Sequence, residues 1–225
     1  MNVKLAVVFW IPCCFLTSVV DAQSVALRLK LGAFAPRIES DLWEENLETF
    51  TIERSDFDTL IGGVEFSIEL SEYVDLAFGV ETSSSTVFSN YRDFVFDDGG
   101  EILQDLTLRT TPVTAGVRVF PIGKFHRVFP YVTGGGGLYV YEYREEGEFV
   151  DFDTFDIYGD LFLDRGVAYG GYLGAGVEVG VSELAYIFGE YRRHWARGTH
   201  GGDFQGFGRF DLRANQMSFG VNLRF

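Results

Sequence analysis

The sequence predicts an all-β fold: an eight-stranded, antiparallel, up-and-down transmembrane β-barrel. Three observations carry this. Segments of about ten residues alternate apolar and polar side chains with period two. The connections between them run long, short, long, short, long, short, long. The non-apolar face of the strands collects charges of both signs, which a water-filled or ion-paired interior accepts and a soluble core does not.

The last segment shows the pattern most clearly. From Met217, the odd positions Met217, Phe219, Val221, Leu223 and Phe225 are apolar, and the even positions Gln216, Ser218, Gly220, Asn222 and Arg224 are polar or small. A chain ending on an apolar face in water would fray, so this strand is expected to close a sheet against the first one, with lipid outside.

The N-terminus reads as export machinery. Lys4 precedes an apolar run from Leu5 to Val20, and Val20-Asp21-Ala22 supplies small residues for cleavage. The sequence assigns 1–22 to a cleaved secretory signal peptide and 23–225 to the barrel domain. An N-terminal membrane anchor is the other reading, but the run holds Pro12 and falls short of the roughly 20 residues a spanning helix needs. Both cysteines, Cys13 and Cys14, lie inside this segment, so no disulfide is expected afterwards. With 33 Asp and Glu against 18 Lys and Arg, the chain is a poor partner for nucleic acid.

Strand one is expected over Ser24 to Phe34, with Val25, Leu27, Leu29, Leu31 and Ala33 outward and Arg28 and Lys30 inward. A long connection from Pro36 to Thr59 follows. Strand two runs from Leu60 to Leu70, with Glu65 and Glu69 inward, and a tight turn at Ser71-Glu72-Tyr73 leads to strand three from Val74, with Asp75 and Glu81 inward. Ser83 to Asp105 is expected as a second long connection with Asp97-Asp98-Gly99-Gly100 at its tip. Strand four begins near Leu106. Its apolar parity changes at Thr110-Thr111-Pro112, which predicts a bulge there, because proline cannot donate to a ladder. Arg118 is inward.

After a shorter link from Phe120 to Pro130, strand five spans Tyr131 to Tyr143 and includes four consecutive glycines, Gly134 to Gly137. Between aromatic segments these suggest a sharply coiled strand. A phosphate-cradling loop would need a following Lys-Ser/Thr and a helix, which are absent. Glu142 to Arg165 is the third long connection. Its Phe149, Phe152, Phe155, Tyr158 and Phe162 are too apolar for a solvated tip, so its flanks are expected to continue strands five and six above the membrane. Strand six, Val167 to Val181, carries Glu178 inward. Strand seven, Leu184 to Arg192, carries Glu190 and Arg192 inward. Arg193 to Asp211 is the fourth long connection, and strand eight closes the chain.

In this order the pieces resemble the small bacterial outer-membrane barrels of the OmpA/OmpX/OmpW type. The resemblance covers nearly all of 23–225. It rests on Thr111-Pro112-Val113, Phe129-Pro130-Tyr131-Val132 before the glycine run, Gly171-Tyr172-Leu173-Gly174-Ala175-Gly176, Glu190-Tyr191-Arg192 and the terminal Phe225. It implies a Gram-negative outer-membrane location, a lipid and lipopolysaccharide environment, and Phe219, Val221, Leu223 and Phe225 as the signal read by the barrel assembly machinery. Function does not follow from the fold. Lipid-A deacylases among such barrels carry His with Ser two residues on, and His126-Arg127-Val128, His194-Trp195-Ala196 and His200-Gly201-Gly202 lack that motif.

The candidate site is therefore a lumen ion network of Arg28, Lys30, Glu65, Glu69, Glu81, Arg118, Glu178, Glu190 and Arg192, filling an interior just wide enough for side chains. No enzyme activity and no cofactor are expected. A pair such as Glu65 and Glu69 could serve acid–base chemistry, but the neighbouring cations favour structural pairing. A narrow channel for small or hydrophobic solutes is the alternative function. The external connections carry net charges of −6, −4, −7 and +1 in order, which suits repelling, solvated loops that present an acidic surface to a ligand or host protein. Divalent cations bridging them to lipopolysaccharide are a sharper possibility. Asp151, Asp153 and Asp156 are the candidate metal cluster, although they lack the glycine and distal Glu of a calcium loop.

Overall fold

The computed structural model describes residues 24–37, 39–199 and 201–225. The proposed signal peptide, 1–22, and His200 lie outside the described residues. Among those described, no helix is long and apolar enough to cross a membrane. The strands form one closed antiparallel sheet. They are β1 (Val25–Pro36), β2 (Thr59–Ser71), β3 (Val74–Val95), β4 (Glu101–Val119), β5 (Val128–Val150), β6 (Ile157–Gly180), β7 (Ala185–Thr199), β8 (Arg209–Asp211) and β9 (Ala214–Arg224). Each strand from β1 to β7 pairs with the next, β7 pairs with β9, and β9 returns to β1.

β8 and β9 are one stave. Arg197 faces Asp211 and His194 faces Ala214 in a common register, broken only at Leu212–Arg213. The ring therefore has eight positions. The closing seam runs from Ala26 opposite Arg224 to Pro36 opposite Ala214. It is tied at the turn end by Phe225 N–H donating to Val25 O at 2.8 Å.

Period two holds along the stretches of the strands that cross the apolar belt. Outward apolar side chains are bare, with Leu29 45 % and Phe219 63 % exposed, while Arg28, Arg118 and Arg192 on the inner face are at 0 %. So large a bare apolar surface calls for a non-aqueous surrounding. It ends where Thr82, Thr111, Glu142 and Arg165 face out. A barrel strand needs roughly 9–11 residues to cross a bilayer, but β3, β5 and β6 have 22, 23 and 24. The barrel consequently rises well above the apolar belt.

That extension revises several boundaries. The second connection, expected over Ser83 to Asp105, is mostly β3 and β4, with a short turn at Asp97–Gly100. The third is β5 and β6 except for 151–156, as the aromatic content of its flanks predicted. The fourth begins only after Thr199. No bulge occurs at Thr110-Thr111-Pro112: β4 keeps one register with β5 from Gln104 opposite Gly147 to Val119 opposite Val132. The side chains Leu106 and Leu108 point inward together with Thr114 and Arg118. What changes at Pro112 is the chemistry of the interior, polar below and apolar above.

The upper interior holds a core that a soluble protein would recognise. It includes Leu42, Trp43, Phe57, Val87, Ile102, Leu106, Tyr141, Tyr143, Phe149 and Phe210. The first connection contributes α1 (Asp41–Thr49), which starts with Asp41 and Glu44 facing the positive end of the helix dipole. Nine residues are too few to be stable alone. Trp43 holds the helix in place through rings of Phe57 at 5.0 Å and Tyr143 at 4.9 Å. The four glycines all lie in β5. Gly135 faces inward so close to β4 that an added Cβ would sit 2.2 Å from Ala115 O.

Candidate functional site: the charged lumen and its cap

Inside the belt, seven strands (β1, β2, β3, β4, β6, β7 and β9) contribute charged side chains to one network, and Lys124 joins it from the β4–β5 turn. Glu65 on β2 is its hub. Its carboxylate meets Lys30 Nζ at 3.3 Å, Arg192 Nη2 at 2.6 Å and Arg118, so it ties β2 to β1, β7 and β4. Lys30 also reaches Glu81 at 3.4 Å and Glu190 at 3.0 Å. Arg192 pairs with Glu190 at 2.6 Å and Glu81 at 3.6 Å.

Nearer the short turns, Arg28 pairs with Glu178 across the lumen. That carboxylate also accepts from Arg224 at 3.0 Å and from Asn222 Nδ2 at 2.5 Å. Arg28 is sandwiched between the rings of Tyr131 and Phe188 at 4.9 and 4.7 Å, and Arg192 lies over Tyr172 at 4.6 Å. A cation over an aromatic face in a desolvated site contributes about 2 kcal/mol.

Of the nine residues the sequence nominates, eight are joined in this cluster. Glu69 joins only through Lys124 at the turn-side mouth, where Ser24 donates to it at 2.9 Å and Lys124 pairs with it at 2.9 Å. Three further residues complete the network. Asp75 meets Arg118 at 3.8 Å and Lys124 at 2.6 Å, Lys124 folds back from the β4–β5 turn, and Arg224 comes from the closing strand. Alternation signals the inward position of Asp75 and Arg224. Nothing in the sequence signals Lys124, because turn residues have no period. The complete set balances: Arg28, Lys30, Arg118, Lys124, Arg192 and Arg224 against Glu65, Glu69, Asp75, Glu81, Glu178 and Glu190.

Aromatic rings close the lower end, where Phe120, Phe129 and Tyr131 pack with Tyr186. At the upper end lies His194, expected in the fourth loop but found on β7 with no exposed surface. Gln216 Nε2 donates to Glu81 at 2.9 Å, so its Oε1 is free to accept from His194 Nε2–H at 2.8 Å. That assigns His194 Nδ1 as the acceptor for the Tyr139 hydroxyl at 2.9 Å. This layer separates the ions from the apolar cap.

Among the acids buried above the belt is Glu145, beside α1. Glu145 accepts from Asn46 Nδ2 at 2.6 Å and from the Tyr143 hydroxyl at 2.6 Å. Burial raises its carboxyl above the usual range, and these two donors only partly oppose that. Asp151, Asp153 and Asp156 are not drawn together. Asp151 Oδ1 instead accepts from the amides of Asp153 at 2.8 Å and Thr154 at 3.2 Å, as a turn-capping carboxylate does.

No protein-family model matches the chain, and no curated protein does. Among solved structures it is similar to the outer membrane protein OprG from Pseudomonas aeruginosa, with 11 % identity, 91 % of this chain and 96 % of that one covered, and a TM-score of 0.54. Neisserial surface protein A also aligns, at 13 % identity over 90 % of this chain and 97 % of that one, with a TM-score of 0.47. The chain has the fold of the small outer-membrane β-barrels. In this barrel, identity so low speaks to architecture and leaves the lumen to be read from its own residues.

Two outcomes follow. Glu65→Gln leaves Lys30, Arg118 and Arg192 with one carboxylate fewer, and removing one partner of a buried pair costs about 3–5 kcal/mol. The urea midpoint of the refolded barrel in micelles is expected to fall accordingly. For the cap, the folded state holds a proton on Glu145 more tightly than the unfolded chain does. Its stabilising contribution is therefore complete below the ordinary carboxylate pKa of about 4.3 and is lost as pH rises through the raised value. Hydrogen-exchange protection of the α1 amides is expected to decline over that rise in wild type and to stay level in Glu145→Gln.

Proposed function

We propose that this protein is an integral barrel of the bacterial outer membrane, closed to free solute flow and non-enzymatic, whose acidic outer rim serves surface interaction. The observation that carries the reading is the filled interior. Six cations are matched by six carboxylates within the belt, and the apolar cap with α1 stands above them. A small solute would have to part both layers. The three acidic connections all lie at the cap end, where the chain meets the exterior, and the short turns lie at the other. The expected surroundings are outer-membrane lipid, lipopolysaccharide and a surface ligand or host protein.

Conductance of the refolded protein in planar bilayers tests the closed interior. No sustained single-channel steps are expected, and their appearance would restore the narrow-channel reading.

In the same reading, Phe219, Val221, Leu223 and Phe225 form the signal for the assembly machinery. Phe225 is 69 % exposed and makes only the terminal rung of the seam. Its deletion is expected to lower the amount of barrel assembled in cells by several-fold while shifting the unfolding of refolded protein little. Equal losses in both measurements would reduce Phe225 to a packing residue.

A further inference from the structure

The outward face of the barrel is not uniform around the ring. On β7, Gly189 stands between Val177 of β6 and Phe219 of β9, and an added Cβ there would meet nothing within 4 Å. The gap is the floor of a groove of about 690 Å³ walled by Leu31, Val177, Ile187, Phe219 and Val221. Above it, toward the cap, the outward positions of β7 read Tyr191, Arg193, Trp195 and Arg197.

The charges at this height differ from those on the adjoining β5–β6 face. There, Arg165 Nε pairs with Glu142 at 2.7 Å, and Arg109 faces the same carboxylate across the strands. Here, Arg213 is matched by Asp211 at 2.5 Å and Glu39 at 2.7 Å. Among the described residues, Arg193 and Arg197 have no ion-pair partner, and Arg193 only lies over the Trp195 ring at 5.6 Å. Arg197 stands across from Asp211 in the β7–β8 register, but Arg213 holds that carboxylate, so among the described residues both guanidinium groups of β7 are left without an ion pair above the apolar groove. Guanidinium groups at a membrane interface meet phosphate oxygens through paired, charge-assisted hydrogen bonds.

We propose that this face binds one phosphorylated lipid of the outer leaflet, its acyl chain lying over Gly189 and its phosphate held between Arg193 and Arg197. The proposal rests on the reading of the protein as a membrane-spanning barrel. The groove alone would accept any acyl chain. The two arginines select the anionic headgroup, and the tryptophan between them sits where an amphipathic ring marks the boundary of lipid and water.

The test is native mass spectrometry of the full refolded barrel, titrated with dioleoylphosphatidylglycerol, dioleoylphosphatidylcholine or inorganic phosphate. Folding is checked first by heat-modifiable migration of each protein. Wild type is expected to retain a single phosphatidylglycerol about tenfold more strongly than phosphatidylcholine, the worth of one charged hydrogen bond. R193Q/R197Q is expected to lose the preference but still bind lipid, and G189L to bind both lipids several-fold more weakly. Equal retention of the two lipids by wild type, or a preference that survives in R193Q/R197Q, overturns the site. So does inorganic phosphate binding as well as the lipid, or a dimer mass that G189L abolishes, which would assign the groove to a second copy. If wild type shows no heat-modifiable migration, the membrane-barrel reading itself fails, and the lipid site with it.

Discussion

A charge placed inside a narrow barrel surrounded by lipid must find its opposite within the lumen, since neither wall nor membrane can solvate it. That constraint organises the whole lower half of this protein. The pairs do not merely join neighbours along the sheet. Glu65 on β2 reaches β1, β4 and β7, and Arg28 on β1 reaches Glu178 on β6. Strands with no backbone contact are thereby tied across the interior. The pairs also explain a small residue beside them. Gly116 leaves room for the hydroxyl of Tyr172, whose ring supports Arg192.

Passing from the lower to the upper half, the protein exchanges one pair of environments for another. Below, apolar side chains face lipid and ions face inward. Above, polar side chains face water and an apolar core fills the inside. The strands run through the change without a break in register, so the inversion is chemical and not geometrical. The layer of Tyr139, His194 and Gln216 marks the border, carrying hydrogen bonds from the ions below to the rings above. Helix α1 seals the upper half as one element of that core, held by Trp43 and Asn46 more than by its own nine residues.

Alternation exposes which residues face inward, and so most of the ion network was legible from residues such as Arg28, Glu65, Glu178 and Arg192. It does not expose partners. Opposite charges appear in the sequence 150 positions apart, as Arg28 and Glu178 do, and only closure of the ring brings them together. The same rule misled where the interior changes character. Leu106 and Leu108 share the parity of Thr114 and Arg118, but an apolar residue counted as outward made a continuous strand look bulged. His194 reads as a loop residue for the related reason that β7 outlasts its apolar face.

Sequence alone determined the number of staves, their order, the lipid-facing side of each and the terminal strand as the closing one, because period two is a local property of an extended chain in two solvents. Tertiary structure decided how far the strands rise above the belt, that α1 and the cap form a second core, and which cation meets which carboxylate. It also decided that Arg193 and Arg197 stand unmatched while Arg165 does not. Those outcomes depend on distances between residues far apart in the chain, and an alternating pattern carries no information about them.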